Sequence, residues 1–208
     1  VLGRKVRVMG RPAAPEPGAN LVLTLDVDLQ EAATKALERG LARRDSPAGV
    51  VVALDPRDGS IRALVSSPSY DNNLFSRGIT AEEYSALQSD PKMPLLNRAI
   101  AGIYPPGSTF KMVTAAAGLQ EGVVDTHTRR TCAGIMWVPS DDGTQRYPFY
   151  CFRRSGHGSV NVVEAIRHSC DIYFYQVGGG FEDFPGLGQK RLAKYSRDFG
   201  LHNLTGVD

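Results

Sequence analysis

The sequence predicts a mixed α/β fold in which antiparallel strands pack with helices. Two observations carry that expectation. "AGVVVALD" and "SIRALVSSP" are β-rich runs around a turn containing Asp58-Gly59, which reads as a hairpin. Several other segments repeat their apolar residues at helical spacing, above all "VDLQEAATKALERGLARR" and the run after Tyr104-Pro105-Pro106-Gly107. The 208 residues suffice for one sizeable domain and a short appendage. A net charge of +2 is too small to imply nucleic acid as a partner. No apolar run approaches the roughly 18 residues of a membrane helix, and no signal peptide is visible. The chain opens on "VLGRKVRVMG" without a methionine and reads as a fragment.

Residues 1–20 read as a basic strand, "RKVRVMG", followed by a Pro/Ala/Gly linker. "LVLTLD" alternates like a short strand. In the helix after it Leu29, Ala33, Ala36, Leu37 and Leu41 share a face, with Asp26 or Asp28 as N-cap and Arg43-Arg44 at the C-terminal end. Beyond the hairpin, residues 71–103 read as mixed and surface-lying, with a short helix near "TAEEYSALQ". Pro105, Pro106 and Gly107 cannot continue a helix, so a new one begins at about Ser108. Its apolar face is Phe110, Val113, Ala117 and Leu119, and Gly122 stops it. Residues 123–160 read as irregular, a length that calls for a function or a brace. "VNVVEAIRHSCDIYFYQVGGG" reads as two helical pieces meeting near Ser169. No internal repeat is present.

Ser108 and Lys111 lie at i and i+3, so both side chains leave one face of the first turn. A lone S-x-x-K is weak evidence, since it also describes a solvated helix. Against that reading stand the Pro-Pro-Gly punctuation, the apolar residues after Lys111, and a second motif, Ser169-Cys170-Asp171, about 60 residues on. "LTLDVDLQEAATKAL", "GVVVALDPRDGSIRALVSSPSYDNN", "LLNRAIAGIYPPGSTFKMVTAAAGL" and "GHGSVNVVEAIRHSCDIYFYQVG" occur in that order. Together they resemble the class B penicillin-binding proteins, and among them the penicillin-binding protein 2 branch of elongation (rod-shape) transpeptidases.

The resemblance implies the penicillin-recognising α/β sandwich, an antiparallel sheet flanked by helices. It assigns residues 1–20 to the tail of a membrane-proximal pedestal and 21–208 to a transpeptidase domain that stops before its K-T-G strand. It implies peptidoglycan DD-transpeptidation inhibited by β-lactams, on the outer face of the cytoplasmic membrane, through an N-terminal anchor outside this sequence. Implied partners are a D-Ala-D-Ala stem peptide, an acceptor amine, a SEDS-family glycosyltransferase and elongation-complex scaffold proteins. Carried over, Ser108 is the nucleophile and Lys111 its base. Ser169 links Lys111 to the leaving D-alanine nitrogen, and the Ser108 N–H supplies half of an oxyanion hole. Asp171 stands where the wider superfamily often has Asn; its carboxylate favours a charged lysine, and its other reading is a helix N-cap. The rival activities are a serine β-lactamase or DD-carboxypeptidase, and a non-catalytic penicillin-recognising module.

Cys132, Cys151 and Cys170 are an odd number of cysteines, so a complete disulfide set is excluded. With His157 they make a Cys3His donor set for structural zinc, although the spacings match no compact finger. Buried free thiols, or one disulfide and one thiol, are equally open on spacing alone. The resemblance favours zinc, because some elongation penicillin-binding proteins are similar in carrying it here. Asp141 and Asp142 are spare oxygen ligands should Cys132 not reach. His127, His168 and His202 read as surface residues.

Overall fold

The computed structural model describes residues 18–207, and the basic strand and most of the linker expected within residues 1–20 lie outside them. The chain divides into two compact units between Ile103 and Tyr104.

The first unit is built on a helix and a hairpin. Helix α1 (Val27–Arg44) starts where the Asp26 carboxylate accepts from Leu29 N–H, and it carries Arg43 and Arg44 in its last turn. Strands β1 (Gly49–Leu54) and β2 (Ile61–Ser67) pair antiparallel, with Val51 opposite Val65. Asp55 pins their turn by accepting from Arg57 and Arg62. The Arg57 side chain bonded to it holds the Asp55 carboxyl well below the carboxylate range.

"LVLTLD" does not form the expected strand. Along it only Asp26 donates a backbone bond to β2, at Arg62 O, while Thr24 uses its hydroxyl on Ile61 O. The Gln30 amide takes the next place, donating to Leu64 O at 2.9 Å and accepting from Leu64 N–H at 2.8 Å. Side chains thus occupy positions that a third strand would fill, which also protects the β2 edge.

Short helices α2 (Asn73–Ser76), α3 (Ala81–Ser89) and α4 (Arg98–Ala101) complete this unit. Thr80 and Glu83 form a reciprocal capping box on α3. The expectation of a wholly surface-lying 71–103 fails at Arg98. Its guanidinium is buried, and the carbonyls of Lys92, Met93 and Leu96 accept from it. A buried cation is tolerated there because several acceptors converge on it.

The second unit holds the larger core. After a single 3-10 turn over Gly107–Thr109, helix α5 (Phe110–Gln120) runs inward. Its buried face is Val113, Thr114, Ala117 and Gly118, so the expected Leu119 points partly to solvent instead. Small residues let neighbouring elements approach closely: a Cβ at Gly118 would lie 3.0 Å from both Val124 and Val177.

The stretch expected to be irregular contains four short strands. Strand β3 (Arg130–Cys132) pairs with β6 (Gly158–Val160), and β4 (Ile135–Pro139) pairs with β5 (Arg146–Tyr150), all antiparallel. Each has three to five residues, too few to show a period-2 pattern against Gly, Asp and Arg neighbours. Helices α6 (Val162–Arg167) and α7 (Asp171–Gly179) are the two expected pieces around Ser169, and α6 opens with an Asn161–Glu164 capping box. Helix α8 (Gly188–Asp198) follows, turning Leu192 and Tyr195 towards the core. The core itself is Val113, Ala117, Val160, Val162, Ile172, Tyr173 and Val177, together with the three cysteines.

Two glycines fix how the β3–β4 link meets the segment before β6. Gly134 (φ +88°) and Gly156 (φ +76°) face each other's strands, and added Cβ atoms would lie 2.0 Å from Arg154 O and 2.2 Å from Cys132 O respectively. Gly156→Ala should therefore remove about 3 kcal/mol of stability, from positive φ and backbone overlap together, measured by urea unfolding. A loss below about 1 kcal/mol would contradict this packing.

Candidate active site

Two segments far apart in sequence bring their polar side chains to one point. The 3-10 turn carries Ser108, the first turn of α5 carries Lys111, and the α6–α7 junction carries Ser169 and Asp171. Ser169 has φ +49°, a left-handed conformation uncommon for a residue with a Cβ. Backbone bonds at the end of α6 hold it there, Ser169 N–H donating to Ile166 O at 3.0 Å and Cys170 N–H to Ala165 O at 2.8 Å.

The resulting chain of contacts is continuous. Ser169 Oγ lies 3.0 Å from Ser108 Oγ and 2.9 Å from Lys111 Nζ. Lys111 Nζ also donates to Ser169 O at 2.7 Å and to Asp171 Oδ1 at 2.6 Å. Three oxygens around one nitrogen match the three donors of an ammonium. The Lys111 and Asp171 side chains are only 12% and 20% exposed, so solvent screens this pair weakly.

No hydrogen bond joins Ser108 Oγ directly to Lys111 Nζ among the described residues; the Ser169 hydroxyl stands between them. Spacing alone suggested direct contact, because i and i+3 share a face. The acceptors at the α6–α7 junction draw the lysine towards themselves instead.

Asp171 does not cap α7, which begins after Cys170 without a side-chain cap bond. Its position in the first turn still suits the helix dipole. Its second oxygen accepts from Phe152 N–H at 2.8 Å. Burial raises the Asp171 carboxyl, but the bonds from Lys111 and from Phe152 N–H outweigh it and hold the group below its ordinary range.

Phe152 follows Cys151, and there the second cluster begins. The ligand atoms of Cys132, Cys151, His157 and Cys170 all lie within 4.8 Å of one another. Cys132 Sγ and Cys151 Sγ stand 3.7 Å and 3.5 Å from His157 Nδ1. Tetrahedral zinc with ordinary zinc–sulfur and zinc–nitrogen bonds separates such donors by about 3.6 Å, so these four residues fit one ion. No disulfide joins the cysteines. Burial pushes the Cys170 thiol up to about 12, so a thiolate there calls for a compensating cation. Burial lowers His157, with the Arg153 and His168 charges acting the same way, which favours the neutral imidazole that ligates metal. Cys132 reaches the cluster, and the spare ligands are unused: Asp141 is exposed and Asp142 serves the turn at Ser140 and Thr144.

Two contributors were missed from sequence. Phe152 acts through its backbone N–H, which no side-chain pattern reports. His168 is exposed as expected, yet its ring stacks on His157 with centroids 5.7 Å apart. Their positions beside Cys151 and Ser169 were the available signals. A cleft of about 510 Å³ opens beside Ser108 and Lys111, walled by Val138, Phe149, Phe174 and Tyr175. An aromatic wall around a few convergent polar groups is the form of a ligand site.

The model for the penicillin binding protein transpeptidase domain matches residues 49–208. The chain is 41% identical over 203 residues to "Peptidoglycan D,D-transpeptidase MrdA" of Acinetobacter baumannii, covering 98% of this chain and 28% of that protein. It is 40% identical to the protein of the same name from Escherichia coli K12, over 99% of this chain and 30% of that one. The chain thus spans under a third of the length of these curated relatives. Among solved structures it is similar to Pseudomonas aeruginosa PBP2 in complex with WCK 5153, at TM-score 0.71 and 38% identity, over 88% of this chain and 38% of that one. It is also similar to penicillin-binding protein A from M. tuberculosis as its penicillin G acyl-enzyme, at TM-score 0.72 and 34% identity, over 85% and 39% of the two chains. A third is the Helicobacter pylori PBP2 chain of a complex with MreC, at TM-score 0.72 and 30% identity, over 86% and 30%.

The geometry makes a stability prediction that needs no assumption about activity. Asp171→Ala leaves the largely buried Lys111 without its counter-charge and Phe152 N–H without an acceptor, and should cost about 3 kcal/mol in urea unfolding. Asp171→Asn keeps one acceptor oxygen and should cost measurably less; equal losses would contradict the two-handed role of this carboxylate.

Proposed function

The chain belongs to the penicillin-binding protein transpeptidase family, in its class B, PBP2-like branch, and on that premise we propose that it carries the acylation machinery of a peptidoglycan D,D-transpeptidase. The observation that supports this reading best is the unbroken Ser108–Ser169–Lys111–Asp171 chain, at 3.0, 2.9 and 2.6 Å, assembled from two segments far apart in sequence.

Serine is a poor nucleophile at neutral pH until a base accepts its proton. In the proposed step Ser108 Oγ attacks the carbonyl of the penultimate D-alanine. Its proton passes to Ser169 Oγ, which gives its own to Lys111; the step starts from the amine, so the ammonium that the three acceptors suit first gives a proton to solvent. The Ser108 N–H, in the 3-10 turn that leads into α5, stabilises the developing oxyanion. The same path then runs backwards: Lys111 returns the proton through Ser169 to the departing D-alanine nitrogen, and the C–N bond breaks. An acceptor amine then attacks the acyl-serine carbonyl and gives up a proton through Ser169 to Lys111; the ester C–O bond breaks and Ser108 Oγ leaves, taking a proton back by the same path, which closes the cross-link. Asp171 orients Lys111 throughout and takes no part in bond making. A β-lactam carbonyl would meet the same serine and form the same ester.

The acceptor amine, a SEDS-family glycosyltransferase partner and an extracytoplasmic, membrane-anchored location belong to this proposal as well. A scaffold partner is supported by the similarity to the H. pylori PBP2 chain of the MreC complex. No helix among the described residues is long and apolar enough to cross a membrane.

Cys132, Cys151, His157 and Cys170 would hold one zinc ion. With four protein donors the set is closed, so the ion would act structurally, joining the β3 end, the β5 end and the α6–α7 junction. It has no step in the acyl transfer.

Two measurements test this. Benzylpenicillin should add its mass to the full-length protein as a long-lived adduct by intact mass spectrometry, and Ser108→Ala should abolish it. An adduct that persists in the variant would show that another residue is the nucleophile, and one that hydrolyses within seconds would favour a β-lactamase. Elemental analysis should give about one zinc per chain, and Cys151→Ser should lower stability by several kcal/mol in urea. Three readily titrated thiols in the native protein, without metal, would overturn the zinc assignment.

A further inference from the structure

Between Cys151 and His157 the chain leaves the four-donor cluster and returns to it, exposing residues 152–155. We propose that this loop, bonded to Asp171 through Phe152 N–H, is a substrate-recognition element, and that Arg153 and Arg154 bind carboxylates on the peptide arm of the substrate. The inference rests on the transpeptidase reading above and adds which groups select the acidic part of the peptide.

The loop is fixed at its base. Cys151 N–H donates to Gly134 O at 2.9 Å, His157 N–H to Cys132 O at 3.1 Å and Gly156 N–H to Arg153 O at 2.9 Å. The facing glycines at 134 and 156 leave the main chain no room to slide. The loop is also tied to the reacting groups. Phe152 N–H donates to Asp171 Oδ2, whose other oxygen accepts from Lys111. The two arginines therefore follow directly after a backbone atom bonded into the catalytic chain.

Their charge is uncommitted. Arg129 and Arg191 each face a glutamate, but neither Arg153 nor Arg154 has a carboxylate within 4.0 Å among the described residues. Residues 152–157 contain no acid. Arg154 is already ordered, its Cζ 3.9 Å above the Tyr150 ring centroid, and Arg153 Nε donates to Ser155 Oγ at 3.3 Å. A guanidinium resting its flat face on an aromatic ring keeps its N–H edges free, and those edges match a carboxylate in two-pronged fashion. Such pre-ordering reduces the entropy lost when the ligand arrives. Peptidoglycan stem peptides carry free carboxylates upstream of the D-Ala-D-Ala bond, so they supply the complementary charge.

The test uses the full-length protein and two synthetic peptides ending in D-Ala-D-Ala, identical except that the α-carboxylate of an upstream γ-glutamyl residue is free in one and amidated in the other. The unsubstituted protein should show a KM about tenfold lower for the free carboxylate, the scale of one exposed charge-assisted contact, with similar kcat. In the Arg153→Gln/Arg154→Gln double variant that preference should fall to about one. A preference that survives in the variant, or is absent from the unsubstituted protein, overturns the proposal. Benzylpenicillin acylation of the unsubstituted protein separates the two levels. A normal adduct without carboxylate preference defeats the loop assignment alone, whereas absence of any adduct defeats the transpeptidase reading and the loop assignment with it.

Discussion

The contact on which the second unit depends is the grip of the α6–α7 junction on the Lys111 ammonium. One nitrogen, largely removed from solvent, joins helix α5 to a serine hydroxyl, a serine carbonyl and an aspartate. Burying a cation is tolerable only where acceptors surround it, and that need accounts for much of the local architecture. Ser169 adopts an uncommon backbone conformation so that both its carbonyl and its hydroxyl reach the nitrogen. Asp171 opens α7 without capping it, leaving its carboxylate free to turn towards the lysine and the Phe152 amide. Closing this junction also sets Ser169 against Ser108, so the arrangement that satisfies a buried charge is the one that can move a proton.

The cysteine cluster continues the same logic one layer out. Cys170 lies between Ser169 and Asp171, Cys151 immediately precedes Phe152, and Cys132 and His157 close the set. Whatever orders these four donors orders the segments that hold Lys111. Burial alone opposes the thiolate at Cys170 and favours neutral His157, a combination suited to a cation that brings charge and four bonds at once. The site thus has a polar inner chain and an outer clip that share the Phe152–Asp171 bond.

Much of this was legible in the sequence, for local reasons. Ser108 and Lys111 sit one helical turn apart, and Ser169 and Asp171 flank a helix junction, so residue order alone put each pair together. The hairpin turn at Asp58-Gly59 and the short helix near "TAEEYSALQ" are likewise written over a few residues. What escaped depends on distant partners. "LVLTLD" alternates like a strand, but Gln30, a residue of the next helix, takes the hydrogen bonds that would make it one. Strands β3 and β6 exist because segments far apart in sequence pair beside Gly134 and Gly156, and β4 and β5 form a hairpin of strands too short for periodicity to register. Residue types pointed to the donor set of the cysteine cluster, while its spacings matched no known finger because four separate elements build it. The intermediate position of the Ser169 hydroxyl was hidden as well, since it follows from where the α6–α7 junction pulls Lys111.

The measurement closest to the central claim is the acylation rate of Ser169→Ala by benzylpenicillin, compared with its stability in urea. If the Ser169 hydroxyl carries the proton between Ser108 and Lys111, the second-order rate constant should fall by about 100-fold or more while the fold survives. A rate within a few-fold of the unsubstituted protein would mean that Lys111 reaches Ser108 without it, and would contradict the relay.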